Sequence, residues 1–108
     1  MSDQYVLDNQ GQPHEEPDLI RWAEWLEHAG DARRVAHDLW IDATGQEILV
    51  STVFLGLDHA FGCGPPVLWE TMIFGGPHDQ HQDRYTSREA AVAGHATALA
   101  LAKGGDAT

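Results

Sequence analysis

The residues of this chain able to do chemistry gather in its second half. Asp58 and His59 open a loop containing Gly62, Gly64, Pro65 and Pro66, and Glu70 follows inside the apolar run Val67 to Phe74. A carboxylate and an imidazole at the mouth of a loop carried by strands could bind a ligand or act as an acid and base. Asp58 has a structural role open to it as well, because aspartate in a turn accepts backbone N–H groups and orders the loop. Glu70 is the sharper case, since a carboxylate among apolar neighbours costs stability unless it is paired. Its surroundings depend on one residue of strand register. With Glu70 opposite Phe54, the carboxyl points into the helix-covered core near His37, Thr52 and His95, where desolvation raises its pKa and a buried acid–imidazole site forms. With Trp69 opposite Phe54, Glu70 joins the reverse face. Both registers remain open on the sequence.

Other chemistries have thinner support. The run His78-Asp79-Gln80-His81-Gln82-Asp83 offers metal-ligand types, but no fixed partner follows it, and a polar loop before a helix accounts for it; no metal is expected. Cys63 has neither an orienting group beyond His59 nor a helix N-terminus to lower its pKa. His95 fits a hydrogen-bonded core histidine. Arg84 and Tyr85 precede a helix start and are candidates for anion binding, with Tyr85 equally able to staple onto that helix. The glycines match neither a lysine-containing phosphate loop nor a dinucleotide fingerprint, so no cofactor is expected.

Periodicity supplies the elements that position these groups. Tyr5 to Leu7 is a short strand followed by turn residues at 9–13. A helix starts near Pro17, with Leu19, Trp22, Ala23, Leu26 and Ala29 as its apolar stripe, Trp25 at the stripe's edge and Gly30 at its end. Residues 34–42 and 47–57 read as a hairpin. Placing Asp42 opposite Glu47 puts Ile41, Leu39, His37 and Val35 on the core side with Ile48, Val50, Thr52 and Phe54. Val67 to Phe74 is a third long strand. Thr86-Ser87-Arg88-Glu89 reads as a capping box opening a last helix that runs to about Lys103, with 104–108 as a frayed tail. The expectation is a single α+β domain over 1–108, an antiparallel sheet of three to four strands in the order β-α-β-β-β-α, with both helices on one face. The other face then carries Trp40, Leu49, Val53 and Leu55, too apolar to be fully wetted, which predicts a homodimer or partner surface.

Composition bounds the function. A chain of 108 residues can bury a core without staples. Seventeen acidic against six basic side chains give a net charge of −11, which disfavours direct nucleic-acid binding. Eight of the acids (Asp3, Asp8, Glu15, Glu16, Asp18, Glu24, Glu27 and Asp31) precede residue 32, opposed only by Arg21. Such a segment could mimic nucleic acid toward a DNA-binding enzyme, although acidic solvated surfaces are common. One cysteine, no leader pattern and no membrane-length apolar stretch point to a cytoplasmic protein that does not enter a membrane.

Leu55 to Pro66 (LGLDHAFGCGPP), Glu70 to Gly76 (ETMIFGG), Arg84-Tyr85-Thr86-Ser87 and Gly94-His95 resemble a family of small, mostly uncharacterised bacteriophage and prophage proteins of similar length. The resemblance covers most of the chain after its first thirty residues. It implies an accessory protein in the host cytoplasm that acts by binding a host protein or small ligand, in host interference or counter-defence, and it carries over no enzymatic activity. The family pattern does not fix cysteine at position 63. The alternatives are a ligand-sequestering protein or small hydrolase built around Asp58, His59 and Glu70, and an acidic nucleic-acid mimic.

Overall fold

The computed structural model describes residues 3–60 and 64–104. Two short strands, β1 (Tyr5–Leu7) and β2 (Pro13–Glu15), form an antiparallel hairpin. Helix α1 (Leu19–Ala29) and a 3-10 turn (Gly30–Arg33) lead into β3 (Arg34–Ile41) and β4 (Glu47–Phe54). After the 58–66 loop come β5 (Trp69–Phe74), β6 (Gln82–Tyr85) and helix α2 (Arg88–Ala102). Strands β3-β4-β5-β6 make one antiparallel sheet in chain order, and α2 packs across it. The α+β class and the antiparallel sheet are as expected. Strands β2 and β6 are additions: both are polar, and the first begins with Pro13, which a strand tolerates at its first residue.

Both hairpins close on the same five-residue sequence, Asp-x-x-Gly-Gln. At Asp8 and at Asp42, the aspartate N–H donates to the carbonyl of the following Gln12 or Gln46 (2.9 Å in each), and the glycine N–H donates back to the aspartate carbonyl (3.0 Å). Gly11 and Gly45 have φ of 77° and 87°, the left-handed conformation that a three-residue hairpin loop needs at this point. One aspartate oxygen accepts two further backbone N–H bonds in each loop: from Gln10 and Gln12, and from Thr44 and Gln46. These bonds hold both carboxyls below the ordinary aspartate range. Asp8 is lowered chiefly by the Gln12 N–H, and Asp42 chiefly by the Thr44 hydroxyl.

The three-residue loop corrects the expected register by one. Ile41, not Asp42, stands opposite Glu47, so Trp40 pairs with Ile48 and Asp38 with Val50. Trp40 and Asp38 therefore point toward α2, whereas His37, Leu39 and Ile41 move to the reverse face, opposite to their expected side. Trp40 leaves the proposed partner surface and packs instead against the core cluster of Ile48, Val50, Ile73 and Ala98, with the Lys103 ammonium 5.1 Å above its ring. A bulge between Arg34 and Ala36 adds one residue to β3, and Val35 packs on the cluster around Phe54.

The helices also depart from expectation in detail. Asp18 caps α1 through its side chain, which accepts from the N–H groups of Ile20 and Arg21. The helix buries Trp22, Trp25 and Leu26 only in part, while Leu19 and Ala23 are exposed, so its inward stripe is centred on Trp25 rather than beside it. Trp25 meets Phe54 edge-on at 5.8 Å, and Trp22 donates its indole N–H to the Gly56 carbonyl at 3.0 Å. On α2 the cap is Ser87, which accepts from Ala90 N–H at 3.0 Å. The third helical residue is thus Ala90, with no side chain to bond back, so the cap is one-sided and not a box. Gly104 ends this helix with φ of 77°; the remainder of the expected frayed tail lies outside the described residues.

Candidate functional site

The sequence-predicted site residues separate in space. Asp58 directs one carboxylate oxygen at the N–H groups of Ala60 (2.7 Å) and Val67 (2.9 Å), across the neck of its loop. His59 donates its backbone N–H to the Val67 carbonyl at 3.0 Å. These bonds tie the two ends of the loop together, the ordering role that aspartate performs in turns. Cys63 lies outside the described residues.

Glu70 occupies the reverse face. Phe54 is opposite Trp69 and Val53 opposite Glu70, which settles the open register and removes the buried Glu70–imidazole site. Its carboxylate accepts from the Arg84 guanidinium at 2.9 Å and from the Gln82 amide at 2.8 Å. Arg84 and Tyr85 consequently face opposite sides of the sheet. Tyr85 turns toward α2 and sits over Gly94, where a Cβ would overlap its ring. Its hydroxyl is buried near Thr71 without a well-formed hydrogen bond, and burial pushes the phenol above its ordinary pKa. In the 78–83 run, His81 pairs with Asp83 at 2.9 Å, and Asp79 accepts from Gly75 N–H at 2.7 Å. Among the described residues, no three His, Cys, Asp or Glu side chains gather as a metal would require, and no helix is long and apolar enough to cross a membrane.

The most organised polar group was only half visible in the sequence. His95, from α2, lies between β3 and β4: its Nδ1 is 2.7 Å from the Thr52 hydroxyl and its Nε2 2.7 Å from an Asp38 carboxylate oxygen. Thr52 also meets the Thr71 hydroxyl at 2.5 Å. The Asp38 carboxylate only accepts, so Nε2 carries the proton; in a neutral ring Nδ1 then accepts from Thr52, which accepts from Thr71. This layer divides the core into two apolar halves, one of Ile48, Val50, Ile73 and Ala98, the other of Phe54, Leu68, Trp69 and Ala91.

A hydroxyl, an imidazole and a carboxylate in a row have the connectivity of an activated nucleophile. Access decides against that use. Thr52 and Thr71 have no exposed surface and His95 is 5% exposed, so no substrate atom can reach the hydroxyls. Only Asp38 meets solvent, with about half of its side chain exposed. What the layer can do is fix the register of β3, β4, β5 and α2 relative to one another, because each buried polar atom is satisfied in that arrangement alone. Arg33, Arg34 and Arg88, none of them singled out as a site residue by the sequence, border one cavity beside the start of β3 and the first turn of α2. No family model, curated protein or solved structure matches this chain.

Proposed function

We propose that this chain is a phage-type accessory protein that acts by binding and that works as a homodimer joined through its bare sheet face. The observation that carries this reading is the apolar band left on the side away from α2. Leu39, Ile41 and Phe74 are 56%, 67% and 42% exposed there, next to Leu49, Val53 and Met72. Four strands about 4.8 Å apart, the longest about 26 Å long, give a face of roughly 500 Å². Two copies would bury about 1,000 Å², the size at which a specific interface becomes credible.

A second copy suits the face better than a basic partner. Its charges are nearly balanced: Glu70 is neutralised by Arg84, and the acidic N-terminal residues lie elsewhere. Edge-to-edge pairing through β3 is opposed by its bulge and by the inward-pointing Asp38, two features that blunt sheet edges. Host interference or counter-defence is the setting that the family resemblance supplies.

Sedimentation or light scattering across a micromolar concentration series tests the assembly. A dimer is expected, strengthened by added salt, because salt screens the repulsion between two bodies of charge −11 while leaving apolar contact intact. Ile41→Glu should dissociate it without unfolding the monomer, since Ile41 is exposed. A clean monomer at every salt concentration would remove the basis for this reading.

A further inference from the structure

Half of the chain's six lysine and arginine residues border a single cleft. Arg33, Arg34 and Arg88 border a cavity of about 750 Å³ between the β1–β2 hairpin, the start of β3 and the first turn of α2. Glu89 is the one acid on its walls. In a protein of charge −11 this is a local reversal of sign, and its size falls in the range of sites for small organic ligands.

Two of these residues, Arg33 and Arg88, have guanidinium donors to spare. Arg33 uses Nε to donate to the Phe54 carbonyl at 3.0 Å, which anchors the side chain while its two terminal NH2 groups make no other hydrogen bond among the described residues. Arg34 pairs with Asp31 at 3.0 Å, but that aspartate is 88% exposed and the pair is screened by water. Arg88 has no hydrogen-bond or ion-pair partner among the described residues. Beside these cations the walls are apolar, supplied by Leu7, Val35 and Val92. Two guanidiniums with free donors, and a third at the rim, suit a dianionic group with several acceptor oxygens, and phosphate fits that description better than a single carboxylate. The apolar walls suit an organic body of nucleoside size.

We infer that this cleft binds a small organic phosphate, a phosphate monoester with an apolar or planar body, through Arg33, Arg34 and Arg88. The site is separate from the bare sheet face, so it stands whether or not the protein dimerises.

Calorimetric titration with adenosine 5′-monophosphate, adenosine and inorganic phosphate tests it on the full chain. The monophosphate is expected to bind at least about tenfold more tightly than either fragment, because only it uses both the arginines and the apolar walls. Arg88→Gln, which removes no bond from the fold, should weaken binding by about tenfold, roughly the loss of one charge-assisted contact. Arg33→Gln should do the same, with circular dichroism confirming the fold. Arg84→Gln, at a residue that does not border the cleft, should leave the affinity unchanged. Absence of binding at millimolar monophosphate, equal affinity for the monophosphate and inorganic phosphate, or indifference to Arg88→Gln would each overturn the inference.

Discussion

Gly94→Ala sets two physical effects against each other with opposite sign. In the interior of an ordinary exposed helix, alanine in place of glycine stabilises by about 1 kcal/mol, because glycine loses more backbone freedom on folding. Here the added methyl would overlap three atoms at the hydroxyl end of Tyr85. That ring cannot withdraw freely, since it packs on the cluster of Phe54, Leu68, Trp69 and Ala91 and belongs to a strand paired with β5. Overpacking of this kind costs about 1–3 kcal/mol, and here it must also part α2 from β6. The upper part of that range outweighs the propensity gain, leaving a net loss of about 1–2 kcal/mol. For a domain of this size the melting temperature should fall by roughly 5–15 °C. Urea and thermal unfolding measure the loss directly. In a Tyr85→Ala background the clash is gone, and Gly94→Ala should then be neutral or stabilising, so the double-mutant cycle gives a coupling of about 2 kcal/mol. A higher melting temperature for Gly94→Ala in the unaltered chain would refute the packing argument.

Two further substitutions probe the polar parts of the fold. His95→Leu should cost about 2–3 kcal/mol in urea unfolding, because it strips Thr52 of a buried partner. Adding Thr52→Val and Thr71→Val to that variant should recover part of the loss, since neither threonine hydroxyl is then left unmatched; a triple variant less stable than His95→Leu would contradict this. Asp42→Asn should be less stable than the parent at neutral pH. The Asp42 pKa is lowered in the folded state, so its contribution is full above the ordinary value of about 3.8 and disappears as pH falls through the folded value. The stability difference measured by denaturant titration should therefore close in acid, and a gap constant down to strongly acidic pH would show that the carboxylate bonds are not its source.

Much of the fold is legible in local patterns, and the departures have identifiable causes. Strands β3, β4 and β5 and both helices follow from apolar periodicity, as does the division of β4 into inward Ile48, Val50, Thr52 and Phe54 and outward Leu49, Ser51 and Val53. The missed strands are short and polar, and they are held by pairing to their neighbours more than by their own composition. Gln82 and Arg84 form a strand because Glu70, across from Arg84, gives them a partner. A four-residue turn places Asp42 opposite Glu47, whereas the three-residue loop places it opposite Gln46, one residue earlier. The repeated Asp-x-x-Gly-Gln, at Asp8 and again at Asp42, was the available signal for a three-residue loop with a left-handed glycine. It also announces β2, because a loop of that kind requires a returning strand. The arginine cleft had no comparable signal: Arg88 is far in sequence from the adjacent Arg33 and Arg34, and only the fold brings them to one cavity.

That single residue of register has consequences on both sides of the sheet. Were Asp42 opposite Glu47, His37 would face α2 and meet His95 across Thr52, placing two imidazoles together with no carboxylate between them. With Ile41 opposite Glu47, Ala36 stands opposite Thr52, and Asp38, opposite Val50, reaches His95 as the acceptor for its Nε2 proton. The same shift exchanges Trp40 for Leu39 and Ile41 on the outer face. The largest side chain of β3 then enters the core, and two medium aliphatic residues remain outside as a flat apolar band. A strand cannot satisfy one face in this register and the other in the next, because its side chains alternate with period two. The Asp42 loop thus fixes the buried polar layer and the exposed apolar face together. Disruption of the loop should therefore be felt in the proposed dimer assembly as well as in stability.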